Sequence, residues 1–174
     1  VGSEMCIRDI PAPRHMTTPD ESRSLNMFEL HPLLARDTLL IGDFPLSRLL
    51  LMNDANFPWL ILVPRRVGMR EIFELGHDDQ LQLLKESSQL AMVLSRIFEA
   101  DKLNIATLGN IVPQLHIHHI VRYRSDQAWP QPVWGLFPAQ PYSKRALQET
   151  CVNLVEHLQG FVPDADCPLA PRLC

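Results

Sequence analysis

The run GNIVPQLHIHHIVRYR, residues 109–124, constrains the fold most. Apolar and polar residues alternate along it, which is the period of a strand with two unlike faces. An extended chain here puts Gln114, His116 and His118 on one face and Leu115, Ile117 and His119 on the other. The first face is not ordinary core. Same-face neighbours on a strand lie about 7 Å apart, so one extended substrate group can reach all three polar side chains.

Other segments supply the partners of this strand. HPLLARDT (31–38) is a short helix with Pro32 in its first turn. SRLLLMND (47–54) and WLILVPRR (59–66) are strands joined by the turn ANFP, and so an antiparallel pair. Both are apolar on both faces, which places them mid-sheet. Residues 77–98 form the clearest helix, capped by Asp78 or Asp79. Its repeating face is Leu83, Leu84, Ser87, Leu90, Ala91, Leu94, Ile97 and Phe98. DKLNIATLGN (101–110) is a further strand, ended at Gly109. The proline-rich stretch 125–141 excludes regular structure. Residues 143–160 form a last helix, with Ser143 as N-cap and Gly160 as C-cap. Strands that pair locally, with helices inserted between them, argue for an α+β fold on an antiparallel sheet rather than a doubly wound one.

A chain of 174 residues with 46% hydrophobic content suits one well-cored domain. No apolar run reaches the length of a membrane span. The net charge of −4 is too mild to draw the chain to nucleic acid or anionic lipid. Cys6, Cys151, Cys167 and Cys174 form no C-x-x-C pair, which fits a reduced, cytoplasmic protein, and Cys151 is expected in the core. Residues 1–26 lack periodicity and the apolar centre of a signal peptide. VGSEMCIRD reads as non-native, Met27 as a sensible start, and the whole leader as disordered or loosely attached.

Three roles suit the histidine face. Two imidazoles at i, i+2 can bind zinc, but a third ligand is needed, and His31, His77 and His157 are scattered without motif spacing. A solvated polar face sits poorly with the turn at Gly109–Asn110 before it and Arg122 and Arg124 after it. The third role is nucleophilic: a neutral imidazole can attack phosphorus near pH 7, while a second serves the leaving group.

QLHIHHI resembles the signature of the histidine triad (HIT) superfamily, His-φ-His-φ-His-φ-φ with φ apolar, in the form of bacterial members that carry Gln first. The resemblance runs from about residue 28 to 135. It takes in LLLMNDANFPWLILVPRR, the long helix, LNIATLGN, the histidine strand and a Trp-Pro segment. It implies a two-layer α+β fold with a five-stranded antiparallel sheet, a long helix and a shorter one, in a homodimer that continues the sheet. It divides the chain into the leader, a HIT domain at 27–135, and a C-terminal helix and tail at 136–174 packed on it.

The resemblance also implies hydrolysis or nucleotidyl transfer at the α-phosphorus of a dinucleoside polyphosphate, a phosphoramidate or a similar conjugate. His116 matches the nucleophile and His118 the group that serves the leaving oxygen; Gln114 stands where the first His is expected. Gly109 and Asn110 match a phosphate contact, Asn53 a ribose contact, and Trp59 a position where many members have His. No metal or cofactor, nucleic-acid polymer or membrane is implied. Gln114 cannot titrate, so the alternative is a nucleotide-binding module with little turnover. His119 replaces an apolar residue and reads as a satisfied core or interface histidine. Arg65 and Arg66 read as a solvated strand end, otherwise as phosphate contacts. Trp129 and Trp134 suit the rim of a base pocket or a dimer contact.

Overall fold

The computed structural model describes residues 27–167, so the leader at 1–26 lies outside the described residues, as do residues 168–174. Helix α1 (Pro32–Asp37) runs directly into β1 (Thr38–Asp43). There follow β2 (Ser47–Met52), β3 (Trp59–Pro64), a 3-10 turn at Ile72–Glu74, α2 (His77–Ile97), β4 (Lys102–Ala106), β5 (Ile117–Arg122), α3 (Lys144–His157) and β6 (Val162–Pro163). Among the described residues the strands form one antiparallel sheet in the order β4-β5-β3-β2-β1-β6. β2 and β3 pair and lie mid-sheet, as their two-sided apolar sequences require.

The sheet has six strands where five were expected. β6 is a two-residue addition against β1, and Gly42 makes room for it, since a Cβ there would collide with the backbone of Val162 and Pro163. The histidine strand is shorter than 109–124. Its pairing ends with His118 against Ala106, the last residue of β4, and with Ile117 against Leu62, although β3 itself runs on to Pro64. Gln114 and His116 therefore precede β5.

The two faces of the sheet are covered differently. Leu49, Leu51, Leu60, Leu62 and Val121 meet Leu90 and Leu94 of α2 and Cys151 and Leu154 of α3. Leu50, Trp59, Ile61, Val63 and Ile120 meet Leu34 of α1, Val112 and Val133, with Phe28 and Leu30 packed alongside. Helix α2 begins after Gly76, which is its N-cap; Asp78 and Asp79 sit in its first turn instead of capping it. There they favour the positive helix end, and Asp79 pairs with Arg66 at 2.6 Å. Its buried face includes Glu86, which is 1% exposed and accepts hydrogen bonds from the Leu46 and Ser47 backbone amides, while Leu84 is 64% exposed. In α3, Ser143 caps as expected, accepting from the Ala146 amide, but the C-cap is Leu158; Gly160, with φ +64°, lies two residues beyond.

Candidate active site

Register decides which side chains meet. His118 lies opposite Ile61, and Ile120 opposite Trp59, so these four share the face toward α1. The His116 and His118 rings stand 4.8 Å apart between centroids and nearly perpendicular, each only 5% exposed. Their hydrogen bonds assign opposite tautomers. His116 Nδ1 lies 2.6 Å from the Gln114 carbonyl oxygen. A carbonyl only accepts, so Nδ1 carries the proton and Nε2 keeps its lone pair. Trp59 Nε1–H, which only donates, meets His118 Nδ1 at 2.9 Å. Neutral His118 therefore carries its proton on Nε2. Burial, with the neighbouring His116 and His119 adding to it, pulls the His118 pKa down to about 3. His118 is thus neutral at pH 7, with its Nε2–H and not an imidazolium proton on offer.

Both rings line a cavity of about 490 Å³, with apolar walls from Leu33, Leu34, Met52, Val112 and Trp134, and with Arg36, Asp37 and Asn110 also at its edge. The Trp134 indole N–H is buried there and has no partner among the described residues. The Arg36 guanidinium, bonded to the Asp37 carboxylate, holds that carboxyl below its ordinary pKa. A second cavity, about 420 Å³ and mostly polar, is lined by Arg70, Glu71, Glu74, Gly109 and Gln114. The two share Leu108, Asn110 and His116. His116 thus stands where an apolar hollow meets a polar one, both of a size that takes small molecules.

The model of the HIT domain family matches residues 35–125 of this chain. The chain belongs to the HIT family. A histidine triad protein from Marinobacter aquaeolei is 49% identical, with a TM-score of 0.76 over 79% of this chain and 100% of that one. Its counterpart from Bradyrhizobium japonicum is 46% identical, with a TM-score of 0.74 over 75% and 98%. One from Sinorhizobium meliloti is 43% identical, with a TM-score of 0.74 over 75% and 97%. No curated protein matches. HIT membership supports a nucleotide-binding or nucleotide-processing function.

Within this HIT fold, His116, His118, Trp59, Gly109 and Asn110 border the two cavities, Trp59 as the partner that orients His118. Gln114 borders the polar cavity, but its amide is engaged elsewhere: Oε1 accepts from the His31 amide at 2.9 Å and Nε2 donates to the Glu29 carbonyl at 2.8 Å. Asn53 does not line either cavity; its Oδ1 accepts from the Tyr142 amide at 3.0 Å and fastens the C-terminal segment. His119, 0% exposed, faces away under α2, where the Ser87 hydroxyl meets its Nε2 at 2.7 Å. Arg65 donates to the Phe44 and Pro45 carbonyls and Arg66 pairs with Asp79. Trp129 lies against the Arg122 guanidinium, whereas Trp134 lines the apolar cavity. The scattered histidines are apart: His31 caps α1, His77 opens α2 and His157 closes α3. Sequence reasoning missed Leu33, Leu34, Arg36 and Asp37 as cavity residues, because nothing local ties a short helix near residue 35 to a histidine at 116.

Proposed function

We propose that this chain is a HIT-family hydrolase or nucleotidyl transferase acting at the α-phosphorus of a nucleoside phosphate derivative, of the dinucleoside polyphosphate or phosphoramidate type. The observation that carries this reading is the pair of opposite tautomers at the junction of the cavities. His116 Nε2 offers its lone pair to phosphorus; an N–P bond forms as the bond to the leaving group breaks, and that group departs with the electron pair and takes up a proton from solvent. His118 Nε2–H donates a hydrogen bond to the bridging or leaving oxygen, and Asn110 lies close by for the phosphate. Water then attacks phosphorus, the N–P bond breaks, its electrons return to His116, and the proton of the water passes to solvent. The base occupies the apolar cavity beside Trp134 and Met52, with Arg36 and Asp37 at its edge for the ribose.

The C-terminal segment, described as far as residue 167, belongs with the 27–135 HIT domain in this reading: Leu154 and Cys151 of α3 enter the core, and Gln140 donates its amide to Asp54. The reading calls on no metal or cofactor. A cytoplasmic setting, where thiols stay reduced, is part of this reading, and Cys151 is a thiol buried in the core; no helix among the described residues is long and apolar enough to cross a membrane. A second copy is the partner that suits edge strand β4, beside which Leu81, Leu84 and Ile105 leave about half or more of their surface exposed. Light scattering that gave a monomer at micromolar concentration would remove the dimer.

Mass spectrometry of protein quenched during turnover tests the mechanism: a nucleotidyl adduct on His116 is expected, and its absence under single-turnover conditions, with turnover intact, would overturn it. The binding-module alternative draws on Gln114, whose side chain supplies no proton. It predicts nucleotide binding without turnover of a substrate panel.

A further inference from the structure

We propose that Gln114 is a positioning residue that fastens the wall of the base cavity to the nucleophile. This rests on reading the apolar cavity as the site of the nucleotide base. Gln114 bonds in two directions. Its carboxamide bonds the Glu29 carbonyl and the His31 amide, more than eighty residues away in the chain. Its own carbonyl accepts the His116 Nδ1 proton at 2.6 Å. The next residue, Leu115, donates its amide to the Met69 carbonyl at 2.9 Å, so the backbone from which both directions start is itself held.

The 29–31 segment matters because it leads into α1. His31 Nδ1 accepts from the Leu33 amide at 3.2 Å and caps α1, and α1 supplies Leu33, Leu34, Arg36 and Asp37 to the cavity. Helix α1 spans only Pro32–Asp37, too short to hold itself by propensity. The Gln114 amide is therefore one end of a clamp whose other end is the cavity wall.

The residue type is set by the geometry. A carbonyl at 29 and an amide at 31 lie side by side, as along the edge of an extended strand, and a carboxamide offers a donor and an acceptor side by side, as a peptide unit does. An imidazole has its nitrogens on divergent vectors and cannot make both bonds. A carboxylate can accept from His31 but opposes the Glu29 carbonyl. Gln in place of the first histidine is, on this view, a fastening and not a lost acid.

The clamp predicts a split between binding and chemistry. Gln114→Glu keeps size and one acceptor but loses the donor; it should raise KM by roughly tenfold, the scale of one hydrogen bond, and change kcat by less than about threefold. Amide hydrogen exchange across His31–Asp37 should quicken in the variant while β3 stays protected. A second pair of variants attacks the other end. His31→Pro removes the amide donor at a φ of −54° that proline accepts, whereas His31→Ala keeps it; both lose the imidazole cap. The proline variant should then resemble Gln114→Glu, and the excess over His31→Ala should vanish when combined with Gln114→Ala. AMP, which has no leaving group at its phosphorus, binds without turnover, so its affinity for the wild-type and Gln114→Glu proteins reads the clamp and keeps failure of the covalent mechanism distinguishable from failure of the clamp. If exchange at 31–37 is unmoved by Gln114→Glu, or kcat falls as far as kcat/KM with KM constant, the clamp is wrong and Gln114 acts on the reacting atoms or not at all.

Discussion

His118 and His119 are consecutive in sequence, occupy the same strand and are both almost fully buried, yet they are chemically unlike. His118 has one nitrogen filled, by Trp59, while its ring borders the cavity. His119 has both filled: its Nδ1 donates to the Ile117 carbonyl at 3.2 Å, and its Nε2 accepts from Ser87 at 2.7 Å under α2. Burial lowers both pKa values, to about 3 and about 4, so protonation does not distinguish them. Unused hydrogen-bonding capacity does. A buried imidazole with both nitrogens satisfied is structural; one with a donor turned to a cavity can serve a ligand.

The contrast is testable by substitution on either face, and the cavity side should give the larger effects on rate. His116→Ala is expected to lower turnover by more than roughly a thousandfold while nucleotide still binds, since the nucleophile itself is gone. Residual activity of a few per cent would refute the covalent mechanism. Trp59→Phe keeps an aromatic ring beside His118 but frees its Nδ1 to carry the proton; a loss of roughly tenfold to a hundredfold in kcat/KM is expected, and an unchanged value would show that the tautomer does not matter.

On the α2 face the effect should be on stability. His119→Leu leaves the Ser87 hydroxyl without its acceptor and should cost about 1–3 kcal/mol in urea unfolding, with kcat within about threefold of wild type. A tenfold loss of kcat at unchanged stability would erase the distinction between the faces. The last effect is on pH. Both histidines hold a proton more weakly folded than unfolded, so below the ordinary value of 6.5 the unfolded chain binds more protons and acid favours unfolding. Their contribution is level above 6.5 and declines on acidification until the folded values, about 4 for His119 and about 3 for His118, are passed. The slope is up to about 1.4 kcal/mol per pH unit for each group. Melting temperatures from about pH 7 down to about pH 5 should fall less steeply for His119→Leu than for wild type; parallel curves would mean that His119 is protonated in the fold.

Periodicity located α2, α3, β2 and β3 within a few residues, because each is long and uniform in pattern. It missed β1, since TLLIGD follows α1 with no turn signal between them, and it missed β6, which exists only as a partner of β1. It also turned α2 slightly wrong: a carboxylate such as Glu86 reads as surface until the Leu46 and Ser47 amides that satisfy it are in view, and Leu84 reads as core until a side chain finds nothing over it.

By itself the sequence determined an α+β chain with His118 and His119 on opposite faces of the sheet and the His116 ring on the side of His118, since alternation is a local property of extended backbone. It carried the family signature for the same reason: the motif is contiguous. Which nitrogen of each ring bears the proton, that Gln114 reaches back to Glu29 and His31, that Asn53 serves Tyr142 and not the cavity, and that α1 walls the site were decided only by the tertiary structure. Each depends on a hydrogen bond or contact between groups far apart in the chain, and the direction of a side-chain donor is set by the partner that folding brings to it.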